Sequence, residues 1–175
     1  MSSYSYTNDN ININVRPAKF SDIPAISNLL QVAFADYYNV LGVKIKTTNE
    51  SHDEIKNDIE NKQVYVATVN MIMLVGTIRF HKIDNICYVS RFGVLPKWQS
   101  SGTGGLLLKQ AEKYCNSSNL SAMVLHTATK LSKQVCYYYK QGFYIHSITN
   151  DKGYIRGLLI KEFDNNYSLN SIVIT

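Results

Sequence analysis

Apolar residues recur along this chain with two different periods, and the changes of period mark the elements. Ile11, Ile13 and Val15 alternate with Asn12, Asn14 and Arg16, the spacing of a half-buried strand. Ile23, Ile26, Leu30 and Ala33 then repeat at helical spacing, which predicts a helix over residues 22–34. Ser21 is its expected N-cap, and Pro24 falls in the first turn, where a missing N–H is tolerated. Residues 37–50 carry no clear period. Ser51 can cap a further helix in which Ile55 and Ile59 lie one turn apart. β-Branched content predicts a strand over 64–69, followed by partners over 72–80 and 86–94 in a meander that turns at Asn70-Met71 and Asp84-Asn85. Past a glycine-rich stretch, Leu107, Ala111 and Tyr114 share a helix face. Residues 122–127 read as a short strand and 132–140 as a short helix ended by Gly142, and a last hairpin spans 143–148 and 154–162.

The first ten residues read as a flexible leader, which leaves 11–175 as a single domain. The tail over 165–175 reads as an edge strand that could pair with a second copy in a homodimer. Helices interspersed among strands, with hairpins as well as crossovers, predict an α/β fold built on a mixed sheet covered by helices.

Composition narrows the class. At 175 residues the chain is long enough to bury a core without a disulfide or metal staple. The 45% hydrophobic content excludes global disorder, and no apolar run reaches the roughly 18–20 residues that cross a bilayer. Met1 to Asn10 lacks a basic region and an apolar core, so no secretory signal is expected. Cys87, Cys115 and Cys136 are odd in number and have no metal-ligand spacing, which points to a reduced, cytoplasmic protein. The net charge of +5 comes from scattered lysines. It suits an anionic small ligand better than nucleic acid, which would call for a basic stripe.

The segment with most chemistry is Val94-Leu-Pro-Lys-Trp-Gln-Ser-Ser-Gly-Thr-Gly104, a strand that runs through a glycine turn into a helix. Glycines there let backbone N–H groups approach a ligand, and the first N–H groups of the helix have no internal partner. Together with the helix dipole these make a phosphate site. No Lys-Ser or Lys-Thr follows, as a Walker loop requires, and Leu107 stands where a dinucleotide loop needs its third glycine. A turn that merely tightens the strand–helix connection is the plainer alternative.

Gln99-x-x-Gly102-x-Gly104 resembles the acetyl-CoA loop of the GNAT superfamily of acetyl-CoA-dependent N-acetyltransferases, whose motif is Q/R-x-x-G-x-G/A. Tyr138-Tyr-Lys-Gln-Gly-Phe143 resembles that family's Y-x-K-x-G-F segment, and Val75-Gly76 falls where its third strand has a small residue. The resemblance implies a central mixed, mostly antiparallel sheet with helices on both faces. It also implies an acetyl-CoA site in which Phe92 and Val94 meet the pantetheine arm, Ser100, Ser101, Gly102, Thr103, Gly104 and Gly105 meet the phosphates, and Gln99 shapes the turn. Lys97, Lys109 and Lys140 are candidates for the 3′-phosphate. Leu131 stands where the family often has an asparagine that contacts the arm.

The reaction so implied is direct attack of an amine on acetyl-CoA in a ternary complex, without metal and without nucleic-acid or membrane partners. A lysine-like amine with a pKa near 10.4 is almost wholly charged at pH 7, so a base and an acidic amine pocket would help. The departing thiolate needs a proton donor. Tyr138 matches the family's tyrosine acid, and His126 occupies the strand position where some relatives carry a glutamate. His81 is a weaker candidate, and His52 and His146 look peripheral. Asp36, Tyr37 and Tyr38 are candidates for the wall of the amine site, whose acceptor could be a small molecule or a protein amine. A non-catalytic acyl-CoA-binding module of the same fold is the alternative reading.

Overall fold

The computed structural model describes residues 12–163; the leader and the tail strand expected from the sequence lie outside them. Among the described residues, seven strands form one sheet in the order β1-β2-β3-β4-β5-β7-β6. They are β1 (Ile13–Pro17), β2 (Gln63–Val69), β3 (Met73–Ile83), β4 (Ile86–Val94), β5 (Ala122–Ala128), β6 (Tyr144–Thr149) and β7 (Arg156–Glu162). The helices are α1 (Ile23–Ala33), a short α2 (Tyr37–Leu41), α3 (His52–Asn61), α4 (Thr103–Ser117) and α5 (Ser132–Lys140). Only β4 and β5 pair in parallel, joined by the α4 crossover; every other neighbouring pair is antiparallel. The predicted α/β mixed sheet is the observed one.

Alternation along β2 sends its side chains to two cores. Tyr65, Ala67 and Val69 join Leu107, Leu108, Ala111 and Cys115 of α4 and Tyr138 of α5 on one face. Val64 and Val66 meet Ile23, Ile26 and Leu30 of α1 and Ile55 of α3 on the other. α4 lies so close to the sheet that a Cβ on Gly76 would stand 2.8 Å from Leu107 Cδ1. A small residue is therefore required at that point of β3.

Local chemistry explains the helix starts. Ser51 caps α3 reciprocally: Glu54 N–H donates to Ser51 Oγ (3.2 Å), and Ser51 N–H donates to Glu54 Oε2 (2.9 Å). At α1 the N-cap is Asp22, not Ser21. The Asp22 carboxylate is drawn into a two-pronged pair with Arg16 (2.7 and 2.9 Å), which ties the helix start to β1.

One irregularity shapes the site. On β4, Arg91 and Phe92 together oppose Ile78 of β3, a bulge with Arg91 at φ 47°. The parallel register of β4 with β5 ends at Val89 opposite Leu125. Beyond that pair the strands separate and a notch opens through the sheet. The facing peptide edges of residues 90–94 and 126–128 have no ladder between them.

Candidate functional site

One side of the notch holds the glycine loop. Ser100 and Gly102 both adopt left-handed backbone (φ 63° and 87°). Leu106 N–H is the first in α4 to find an internal acceptor, the Gly102 carbonyl at 3.1 Å. The N–H groups of Thr103, Gly104 and Gly105 therefore have no intrahelical carbonyl to reach. A Cβ on Gly102 or Gly105 would meet nothing within 4 Å, so the space outside the loop is open. Gln99 Nε2 donates to the Val94 carbonyl (3.3 Å) and closes the turn, while Ser101 Oγ donates to the Trp98 carbonyl and meets Thr103 Oγ1, each at 2.7 Å. Thr103 itself is buried and faces the core, so its part in ligand contact is through its N–H.

The hydroxyl that points at this loop belongs to Tyr137. Its Oη is buried with no partner and lies 2.9 Å from where a Gly104 Cβ would be. Burial pushes the phenol up to about 12. An orphaned hydroxyl beside unengaged amide donors, with an open cradle outside, fits a ligand that brings phosphate oxygens. Lys97, Lys109 and Lys140 are all exposed.

A cavity of about 440 Å³ opens from the notch toward α2 and the following loop. Tyr88, Phe92, His126, Thr127 and Tyr138 line its inner end. Tyr138 packs among Phe92, Tyr137 and Phe143, and burial holds its phenol well above the usual range. His126 Nδ1 sits 3.1 Å from the Tyr88 hydroxyl. Burial, then the Arg156 charge, push His126 down to about 4, so its ring is neutral at pH 7. Tyr37 also lines the cavity. Its hydroxyl donates to Gln134 Oε1 (2.7 Å), and Thr127 Oγ1 donates to the same oxygen (3.4 Å), which ties α2 to α5 and β5. Tyr38 is turned outward at 56% exposure and Asp36 is exposed, so neither lines this cavity. His81 is half-buried, edge-on to Tyr88 and away from the cavity, and His52 and His146 are exposed.

Sequence reasoning did not single out Tyr88, Arg91 or Gln134. Arg91 alone left a trace, since a charged residue interrupts the apolar run of Val89, Phe92 and Val94. The amine side also lacks the acidic character that the chemistry suggested: no aspartate or glutamate among the described residues lines the cavity. Nor do the described residues hold a group of three or more metal-ligating side chains, or a helix long and apolar enough to cross a membrane.

The parallel strand pair thus ends in a gap, with a glycine-led helix on one side and a cavity of about 440 Å³ on the other. The sequence pattern of the acetyltransferase (GNAT) family matches residues 25–143, and the chain belongs to that family. An uncharacterized N-acetyltransferase of Bacillus subtilis, YjcF, is 27% identical over 105 residues, which are 60% of this chain and 73% of that one. Among solved structures, the PaiA N-acetyltransferase of Thermoplasma acidophilum in complex with coenzyme A superposes with TM-score 0.76 at 19% identity, covering 87% of this chain and 99% of that one. The structure of yncA of Salmonella typhimurium with its cofactor acetyl-CoA gives TM-score 0.69 at 17% identity over 90% and 97% of the two chains. These likenesses show the fold.

Proposed function

We propose that the protein is an N-acetyltransferase that moves an acetyl group from acetyl-CoA to a primary amine by direct attack within a ternary complex. The observation that carries the reading is the notch itself: unengaged amide donors and an orphaned hydroxyl on one side, an amine-sized cavity on the other, and Tyr138 at the inner end of that cavity. The CoA and acetyl-CoA held by structural relatives support it.

Bound acetyl-CoA would supply an acetyl thioester, whose transfer forms one C–N bond, breaks the C–S bond and leaves a thiolate that takes up a proton. The N–H groups from Ser100 to Gly105 would hold the phosphates, helped by the dipole of α4, with Tyr137 Oη beside them. The open edge of β4 at Phe92 and Val94 would receive the amide-bearing arm, and Gln99 braces the turn between the two. Tyr138, kept protonated by burial, is the proton donor to the thiolate. His126, held neutral, accepts the amine's proton directly or through water. A ring with so low a pKa passes the proton on rather than storing it. Holding both reactants in one notch supplies much of the remaining acceleration. As written, the step needs no metal. The three cysteines are free thiols, which fits the reducing cytoplasm.

The test is thiol release from acetyl-CoA over a panel of amines. Amine-dependent release supports the reading; tight acetyl-CoA binding without release on any amine favours the non-catalytic acyl-CoA-binding alternative, which Leu131 keeps open. In an active assay Tyr138→Phe is expected to lower kcat on the order of 10²-fold with acetyl-CoA affinity unchanged. An unchanged kcat would remove Tyr138 as the acid.

A further inference from the structure

The amine side of the notch carries a charge pattern that the reading above leaves unused. Lys44, Lys46, Arg91, Lys152 and Arg156 all line the cavity, with no carboxylate among the described lining residues. Some of this charge is offset from outside. Lys46 pairs with Glu54 at 2.9 Å, and Arg156 pairs with Asp151 at 2.6 Å. Lys152 reaches Asp151 only at 3.8 Å, and Lys44 has no carboxylate partner among the described residues. The positive charge is felt at the inner end: Arg156 and Arg91 oppose the burial-driven rise of the Tyr88 phenol, and Arg156 and Lys152 add to the burial-driven depression of His126, with Asp151 opposing them.

Arg91 is held there by a built support. It is a bulky residue at φ 47°, a backbone state that costs energy and persists only where surroundings impose it. Its Nε donates to Glu50 Oε1 at 2.9 Å, and the Glu50 side chain is only 4% exposed. Glu50 is gripped from behind by the fully buried Arg79 at 2.6 Å, which also pairs with Asp58 at 2.7 Å. With Nε fixed, the two terminal nitrogens of Arg91 have no protein partner among the described residues. They form a planar fork suited to a carboxylate or phosphate.

We propose that the acceptor is a small primary amine carrying its own carboxylate or phosphate, with Arg91 the specificity-determining residue that binds the anion and Lys44 and Lys152 completing a positive rim. This rests on the acetyl-transfer reading. A polycation would be repelled by such a lining, whereas an amine tethered to an anion is held by it. The same positive surroundings lower the ammonium pKa and so raise the share of attacking neutral amine. The cavity volume of about 440 Å³ matches a small molecule.

The full-length protein is assayed for thiol release on matched pairs: α-amino acids against their methyl esters, phosphoethanolamine against ethanolamine, and spermidine as the polycation. The anionic member is expected to have a kcat/KM about tenfold or more above its partner, the order one charged hydrogen-bonded contact supplies. Which anionic member leads distinguishes carboxylate from phosphate. Arg91→Gln should bring the ratio close to unity without altering acetyl-CoA affinity, and Arg91→Lys should restore it only in part. Should Arg91→Gln fail to fold, the exposed pair Lys44→Gln/Lys152→Gln is expected to cut the ratio at least about threefold. Preference for an ester, ethanolamine or spermidine overturns the proposal, as does a ratio that survives these substitutions. If no amine is turned over, melting temperatures with the same anionic amines decide. A rise in wild type that is lost in the variant keeps the anion site and removes the acetyl-transfer reading; no rise removes the anion site.

Discussion

Gly104 and Tyr137 provide a test in which one atom sets the sign of a mutation. Gly104 lies in the first turn of α4 with ordinary helical backbone, so alanine there should gain up to about 1 kcal/mol of helix propensity. The added Cβ would stand 2.9 Å from Tyr137 Oη, closer than packing permits. Overpacking of that kind costs about 1–3 kcal/mol, so Gly104→Ala alone is expected to destabilise by about 1–2 kcal/mol net. Tyr137→Phe removes the offending oxygen. The nearest remaining atoms are then Tyr137 Cζ at 3.4 Å and Phe92 Cζ at 3.5 Å, which are tolerable contacts. In that background Gly104→Ala should stabilise by about 0.5–1 kcal/mol, giving a coupling of about 2 kcal/mol. Tyr137→Phe by itself should also stabilise, by about 1 kcal/mol, because it deletes a buried hydroxyl that has no partner. Urea unfolding of the four proteins measures all these terms, provided the slope with denaturant stays constant. If the two substitutions add within about 0.5 kcal/mol, the hydroxyl does not point at the loop and the argument fails. Acetyl-CoA titration gives an opposite sign: Tyr137→Phe is expected to weaken affinity by roughly 3- to 10-fold while raising stability, as expected for a polar group kept for a ligand.

Gly102→Val is expected to abolish acetyl-CoA affinity while the protein still folds, because its left-handed backbone is strained by any side chain and a Cβ there projects into the open cradle; isothermal titration and circular dichroism check the two halves. His126 is depressed to about 4, so between pH 6.5 and 4 the unfolded chain binds a proton that the folded one refuses. Stability should therefore fall with pH across that window, and His126→Gln should remove this share of the loss in denaturant melts at several pH values. The same depression predicts no His126 inflection near pH 6.5 in the rate profile. Arg79→Ala leaves Glu50 and Asp58 buried without their shared cation, and a loss of about 3–5 kcal/mol in urea unfolding is expected.

Much of the architecture was legible along the chain because it is local. The α5 span Ser132–Lys140, the Ser51 cap and the strand–glycine–helix passage each follow from residues a few positions apart. Other features escaped for identifiable reasons. Ser21 is not the α1 cap because it lies inside a tight turn over Phe20–Asp22, which the Asp22 carboxylate fastens by accepting from Lys19 N–H (2.7 Å) and from Arg16. The short α2 has too few turns to show a period. Three consecutive tyrosines at 137–139 satisfy any aromatic pattern, yet a helix turns each to a different neighbour: Tyr137 to the loop, Tyr138 to the notch and Tyr139 to solvent at 49% exposure.

Periodicity, turn chemistry and the glycine spacing were enough to determine the order of the seven strands and four longer helices, the mixed sheet and the amide-lined corner of α4, since each depends on backbone geometry over a few residues. The character of the amine side was decided only in three dimensions. Glu50 reaches Arg91 across 41 positions and Tyr88 reaches His126 across 38, through a bulge and a strand separation that no local pattern encodes. The field inside a cavity sums over every charge that the fold brings near, so its sign belongs to the tertiary structure alone.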